Sequence, residues 1–488
     1  MFTNQHNINR PRREGSTLLR VWMRAIEMSW ASEELASADL GDVRRNRRLV
    51  AIVEDLAASP ESSVPLASRN RAALQGMYDF WSNPRIKASS ILAAHRDRAV
   101  ERSECWDTVL AIQDTTELDY SGHRSKRGMG YLRGANTKGV LLHSVLSVSP
   151  IGTPVGIVHQ QVWARTGRKT ARSQRLNAQK ESNRWIESLK ATEAQIAPYR
   201  RILTIADREA DLYELLACER RAGSEYLIRS YHDRQVKLTP SEKPQSLHQV
   251  MERLPIGGVV RLELQRTPRR SARSTWVDVR WASVWLQVPE AHRDWDRLAP
   301  IRVQVLWASE DEDQGDGPRV QWMLVTSMPI ERFEQAHQLL TWYSYRWLIE
   351  RYHYTLKSGC RVEALQLETF DRLERAIACY AIVAWRLLWL TYMARPLEPI
   401  DQGLEADWVL ETEEWQALCQ HYHAPPRSPD DPPRLSQCLL WIAQLGGFWG
   451  RKSDGEPGAR TIWRGLRRLR DLVRQTVLPE AIAAECAV

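Results

Sequence analysis

The chain of 488 residues is 43% hydrophobic and carries a formal net charge of +8, enough for about three packed domains and mildly suited to a polyanion. No apolar run approaches the ~18 residues of a membrane span, and the start NQHNINRPRREG lacks the apolar core of a secretory signal. Seven scattered cysteines without a C-x-x-C exclude a disulfide framework and a zinc site, and fit reduced thiols in an intracellular protein.

Residues 1–29 are polar and arginine-rich: a flexible basic arm, or an over-long start, since Met23 and Met28 both precede the first convincing helix. Residues 30–105 read as short helices. In LGDVRRNRRLVAIVEDLAA, Leu49, Ile52, Val53 and Leu56 share an apolar face, while Arg44, Arg45, Arg47 and Arg48 crowd the first turns. Cations there oppose the helix macrodipole. Docked phosphates would relieve that cost; a solvated charge run is the plainer alternative. NRAALQGMYDFWSNP reads as a second helix ending at Asn83-Pro84.

From Trp106 the pattern changes. VLAIQDTTELDY is a buried strand emerging at Asp114, and VLLHSVLSVSP and PVGIVHQQVWAR are two more. KESNRWIESLKATEAQIA is an amphipathic helix. RRILTIADREADLYELLACERR is a strand, an acidic turn at Asp207 and a helix, and SEYLIRSYH is a fifth strand. Three strands, then helix, strand, helix, strand is the order expected of a ribonuclease-H-like α/β core. Residues 233–329 lose helical periodicity and read as a β-rich insertion, with Glu310–Gly317 an exposed acidic hairpin loop.

Thr341–Gly359, TWYSYRWLIERYHYTLKSG, reads as one amphipathic helix. At about 100° per residue, Tyr343, Arg346, Glu350 and Lys357 fall in a stripe about 60° wide. The stripe resembles a row of phosphate grips around a single acid, with Trp347 and Tyr354 beside it and facing either core or DNA. LERAIACYAIVAWRLLWLTYMA is a long buried helix stopped by Pro396 and Pro399. Residues 396–488 form a helical C-terminal region. Its last helix, TIWRGLRRLRDLVRQ, sets Ile462, Leu466, Leu469 and Val473 against Arg464, Arg467, Arg468 and Arg470, for DNA contact or for pairing with a second copy.

Asp114 and Asp207, each at a strand exit, form with Glu350 a cluster of three acids. Carboxylates in rigid positions suit Mg²⁺ or Mn²⁺, and two such ions about 3.5–4 Å apart serve phosphoryl transfer. Asp207 also reads as a helix N-cap. Asp211 and Glu209 lie beyond the strand end, and Asp211 is expected to be structural. His421-x-His423 lacks further metal ligands.

Tyr343-x-x-Arg346-x-x-x-Glu350-x6-Lys357 matches the Y-(2)-R-(3)-E-(6)-K signature of the insertion-sequence-four family of bacterial transposases, and the chain resembles the group around the transposase of transposon five. DLGDVRRNRRL, GMYDFWSNP, AIQDTTELDY, HSVLSV, ADREADLYELL, EYLIRS, AQLGGFWGRK and PGARTIWRGLRRL extend the likeness, in order, from about Trp30 to about Leu478. The resemblance implies a helical DNA-end-binding domain (30–105), a ribonuclease-H-like core (106–395) interrupted by the β-rich insertion, and a helical dimerisation region (396–488). It implies a catalytic D-D-E triad of Asp114, Asp207 and Glu350 with two Mg²⁺ or Mn²⁺ ions, and cut-and-paste chemistry through hairpin ends. Its partners would be double-stranded DNA, as terminal inverted repeats and as target, and a second subunit, in the bacterial cytoplasm at the nucleoid. Tyr343, Arg346 and Lys357 would hold end phosphates. Trp322 would stack on a flipped base, although Val320, Trp322 and Leu324 also alternate as a strand core. Arg229 would contact a phosphate or form an ion pair, and Arg44, Arg45 and Arg48 would read the inverted repeat. A catalytically silent inhibitor of transposition and a nuclease or junction resolvase are the alternatives.

Overall fold

The computed structural model describes residues 29–123, 125–134, 136–165, 181–264, 273–290, 297–310, 319–393, 404–425, 427–451 and 457–485. The expected arm before residue 29, residues 311–317 of the expected acidic loop and the helix stop at Pro396 and Pro399 lie outside them, while Glu310, expected to be exposed, is buried and paired with Arg273 at 2.5 Å.

Five helices open the described chain: α1 (Trp30–Glu34), α2 (Val43–Ala58), α3 (Val64–Ala67), α4 (Arg71–Ser82) and α5 (Ala88–Ser103). The apolar face expected of α2 is the buried one, with Leu49, Ile52, Val53 and Leu56 all inside. Asn70 caps α4, which ends at Asn83 before Pro84 and buries Met77, Phe80 and Trp81. A buried polar knot ties these helices to the sheet. Glu34 lies 2.5 Å from His95 Nδ1 and 2.7 Å from Arg102 Nη1. Arg102 Nε donates to the Val155 carbonyl at 2.9 Å, and the Ile157 N–H donates to His95 Nε2 at 2.9 Å. The second bond makes Nε2 an acceptor, so the ring proton sits on Nδ1, facing Glu34. Burial alone would raise the Glu34 carboxyl, but His95 and Arg102 outweigh it and hold the group down at about 2.

The core sheet begins with β1 (Thr108–Asp119), the two-residue β2 (Gly130–Tyr131), β3 (Lys138–Val148) and β4 (Pro154–Trp163). After α6 (Asn183–Gln195) come β5 (Arg201–Ala206), α7 (Tyr213–Ala217) and β6 (Ser224–Arg229). The strands lie in the order β4-β3-β1-β5-β6. β1–β3 and β3–β4 are antiparallel, whereas β1–β5 and β5–β6 are parallel. β3 is buried along nearly all its length and β1 from Val109 to Gln113, as expected where helices cover both sheet faces.

The β-rich segment after β6 is an extension of the same sheet. It comprises β7 (Gln235–Lys237), β8 (Gln245–Ser246), β9 (Gly258–Leu264), β10 (Arg273–Leu286), β11 (Ile301–Ser309) and β12 (Gln321–Thr326). β12 pairs antiparallel with β6, Leu324 opposite Arg229, so the hydrogen-bond ladder continues unbroken from core to extension. One helix that the fading periodicity hid, α8 (Leu247–Arg253), stands within it.

The expected single helix over 341–359 is three pieces. α9 (Phe333–Ser344) gives way at Tyr345 and Arg346 to α10 (Trp347–Tyr354), which runs into a π-turn at Thr355–Gly359. The join is tightened by three-residue hydrogen bonds, Tyr345 N–H to Trp342 O at 3.1 Å and Arg346 N–H to Tyr343 O at 3.0 Å. Its cause is tertiary. Tyr345 seats its ring on Gly152, where φ is +88° and a Cβ would stand 2.9 Å from the ring, and Trp342 Nε1 donates to the Pro150 carbonyl at 3.2 Å. The β3–β4 turn therefore bends the helix that passes over it.

α11 (Phe370–Met393) is buried on most sides, as its composition suggested, and Trp385 Nε1 donates to the Pro154 carbonyl at 3.3 Å. α12 (Thr412–His421), α13 (Leu435–Leu445) and α14 (Ala459–Glu485) complete the fold. α13 and α14 meet at glycines: a Cβ on Gly465 would stand 1.7 Å from the Ile442 carbonyl oxygen. Ile462 and Leu469 of α14 are buried, while Arg464, Arg467 and Arg468 stay on its exposed side. Cys105, Cys218, Cys360, Cys379, Cys419 and Cys438 are free thiols. Among the described residues no helix is long and apolar enough to cross a membrane.

Candidate active site

β1 and β5 run parallel from Thr108 opposite Arg201 to Gln113 opposite Ala206. Asp114 and Asp207 are the next residue on each strand, which sets two carboxylates side by side at the open end of a parallel ladder. Asp207 stands where β5 stops, as expected. Asp114 does not stand at a strand exit: β1 continues to Asp119, because β3 goes on pairing with it and places Ser144 opposite Asp114. Asp207 also caps the short 3₁₀ turn Arg208–Ala210, accepting from the Glu209 N–H at 2.9 Å, so the cap and the site share one carboxylate. Burial and then the neighbouring charge of Asp114 raise the Asp207 carboxyl above its ordinary range.

The third acid comes from α10. Glu350 is 54% exposed, and Arg346 Nη2 donates to its Oε1 at 2.5 Å. Burial alone would depress the Arg346 guanidinium, but Tyr343, Glu350 and Asp114 raise it on balance. The same guanidinium acts on Asp207. Arg346 thus interacts with all three acids. Tyr343, expected on an outward stripe, is buried against Trp322 of β12. Its ring meets Trp322 edge-on, centroids 5.1 Å apart, and burial pushes its phenol up while Arg346 and Arg229 oppose that rise.

Arg229 ends β6 beside them. Its Nη2 donates to the Gln321 carbonyl at 2.9 Å, its Nε is buried without a partner, and burial lowers the guanidinium. Trp322 is half-buried on the core face of β12 with buried Val320 and Leu324, so the strand-core pattern and a place beside Tyr343 hold together. Lys357 departs from the expected stripe. It lies on the π-turn, donates to the Glu117 carbonyl at 2.8 Å and stands 3.5 Å from Glu363, further along β1 than Asp114. The flanking aromatics also find places: Trp347 is half-buried against the core, and Tyr354 lies 6.1 Å from Trp463 of α14.

The N-terminal arginines form a separate group. Asp42 caps α2 and pairs with Arg44 at 3.0 Å, which answers the macrodipole cost locally; the Arg44 side chain is 86% exposed. Arg45 Nη1 donates to the Leu40 carbonyl at 2.9 Å, and the Arg48 guanidinium lies over Gly76 of α4. Asp211 is structural as expected, in a buried pair with Arg234 at 2.6 Å and accepting the N–H groups of Tyr231 and His232. Glu209 pairs with Arg133 and Arg184.

Two polar residues beneath Asp114 escaped the sequence reading. His353 Nδ1 lies 3.6 Å from Asp114 Oδ2, and its Nε2 lies 3.4 Å from Ser144 Oγ. The only signal for His353 was its place one turn after Glu350. Among the described residues no group of three or more His, Cys, Asp or Glu side chains is placed to hold a metal ion, so Asp114, Asp207 and Glu350 are not drawn together on one ion here. A hard divalent cation nevertheless fits here. Burial and, after it, the neighbouring charge of Asp114 raise Asp207, and a cation between the two carboxylates would relieve both.

Three family comparisons cover most of the chain. Residues 27–86 match the family described as Transposase DNA-binding, residues 108–386 the Transposase DDE domain, and residues 382–480 the Transposase Tn5 dimerisation domain.

Proposed function

The chain belongs to the DDE transposases, with a DNA-binding region, a catalytic domain and a Tn5-type dimerisation region in one polypeptide, and from that premise we propose cut-and-paste transposition at the terminal inverted repeats of its own element. The strand order β4-β3-β1-β5-β6 supports a ribonuclease-H-like core, here taken as 106–395, with 30–105 binding DNA ends and 396–488 pairing two subunits. Asp114, Asp207 and Glu350 are the acids that hold the divalent cations typical of this family. Mg²⁺ or Mn²⁺ bound between these acids would supply Lewis-acid stabilisation and activate a water at neutral pH.

The chain's own residues bind and orient the DNA. Arg346 and Arg229 offer charge to a phosphate in a half-buried site where charge-assisted hydrogen bonds are strong. Tyr343 supports both from below, and Lys357 grips the backbone further along β1. Trp322, with its ring edge on Tyr343, stacks a base displaced from the duplex. Water nicks the transposon end, the freed 3′-hydroxyl attacks the opposite strand to form a hairpin, and hairpin opening and strand transfer into target DNA follow. Arg44, Arg45 and Arg48 read the repeat, the exposed Arg44 most directly.

The observation that carries this reading is the register that sets Asp114 beside Asp207 under an arginine shared with Glu350. Incubation with Mg²⁺ and DNA bearing the element's inverted repeat is expected to yield hairpinned ends and joined products. Nicks without hairpins would instead indicate a nuclease or resolvase, and tight binding without cleavage an inhibitor.

A further inference from the structure

We propose that His353 is a positioning residue for Asp114, bracing the strand that carries one acid against the helix that carries another. The inference rests on the reading of Asp114 as a metal ligand. Glu350 and His353 lie one turn apart on α10, yet Glu350 is exposed and His353 is buried against the sheet. The ring spans a cross-strand pair: Nδ1 is 3.6 Å from Asp114 Oδ2 and Nε2 is 3.4 Å from Ser144 Oγ, and Asp114 and Ser144 are register partners on β1 and β3. Beside it, the Tyr352 hydroxyl donates to Gln160 Oε1 on β4 at 2.9 Å, and the Tyr352 and His353 rings lie 5.5 Å apart. Two consecutive residues therefore fasten the helix to three successive strands.

A carboxylate offers only acceptors, so the proposed role needs the ring proton on Nδ1, the nitrogen nearer Asp114. The Ser144 hydroxyl serves Nε2 as donor or acceptor and keeps the ring from turning. At 3.6 Å the contact with Asp114 is longer than a full hydrogen bond. It steers the carboxylate without capturing it, and leaves its oxygens free for a cation. A buried histidine is ordinarily a satisfied core residue; this one differs in that the group it satisfies is an acid of the site.

The test is Mn²⁺ binding to the full chain without DNA, read from the electron paramagnetic resonance signal of free Mn²⁺. His353→Ala is expected to weaken binding about tenfold, the scale seen when an outer-shell partner of a ligand is lost. His353→Asn, whose amide nitrogen stands where Nδ1 stands, should restore it to within about threefold, whereas His353→Gln, which reaches towards Ser144 instead, should not. Equal affinity of the Ala variant and the unaltered chain, or rescue by Gln as good as by Asn, overturns the proposal. Asp114→Asn separates the two layers. If it abolishes binding while His353→Ala does not, only the positioning role fails; if it leaves binding intact, the metal reading fails and the proposal with it. Should the Ala variant not fold by circular dichroism, the Asn and Gln variants decide between them.

Discussion

Asp207 is an acid held where its charge is unwelcome. A carboxyl raised above its unfolded value binds its proton more tightly in the fold, so its contribution to stability falls as pH rises through that range and is lowest at neutral pH. Asp207→Asn should therefore raise the melting temperature in the presence of a chelator, by about 1–3 °C, while abolishing cleavage. A lower melting temperature would contradict the burden ascribed to this carboxylate. Glu350 is the opposite case: exposed, paired with Arg346 and free of a packing role. Glu350→Gln is expected to remove cleavage by at least about a thousandfold, on the scale of losing a group that acts only in the transition state, with end binding in a gel-shift assay changed less than threefold. Residual cleavage near the unaltered rate would take Glu350 out of the triad.

At the scale of elements, the polar knot between α1, α5 and β4 fixes the N-terminal helices to the core. Glu34 titrates at about 2 in the fold against an ordinary 4.5, so its stabilising contribution is complete above about pH 4.5 and is lost as pH falls towards 2. The shift corresponds to stabilisation on the order of 3 kcal/mol. Glu34→Gln should be less stable than the unaltered chain at pH 7, and the gap should close as the two are melted at successively lower pH below 4.5. A gap independent of pH would mean that packing, and not charge, holds the knot. Around the helix break at Tyr345, Tyr343 is buried while Arg346 interacts with all three acids.

For the whole molecule, the net charge of +8 favours DNA without indicating where it binds. The exposed Arg44 on α2 offers a probe that leaves the folded core untouched. Arg44→Ala is expected to reduce the slope of log affinity against log salt for end DNA by about one, the value for loss of one phosphate contact. An unchanged slope would place that contact elsewhere.

The local signals of the sequence were enough to outline most elements, among them the strands that carry Asp114 and lead to Asp207. Alternating and continuous apolar runs reflect which side of a strand or helix leaves water, and that depends on neighbours a few residues away. Leu49, Ile52, Val53 and Leu56 on α2, the strands around Asp114 and Asp207, and the apolar length of α11 were legible for this reason. Contacts between segments far apart in the chain were not. The bend at Tyr345 is made by Gly152 and Pro150, the continuation of β1 past Asp114 by β3, the tether on Lys357 by Glu117, and the place of His353 by Ser144. A helical wheel treats α9 and α10 as one rigid rod and turns Tyr343 outward. The break in that rod coincides with contacts to the β3–β4 turn, where Trp342 donates to the Pro150 carbonyl and the Tyr345 ring lies on Gly152, partners that no local pattern reveals.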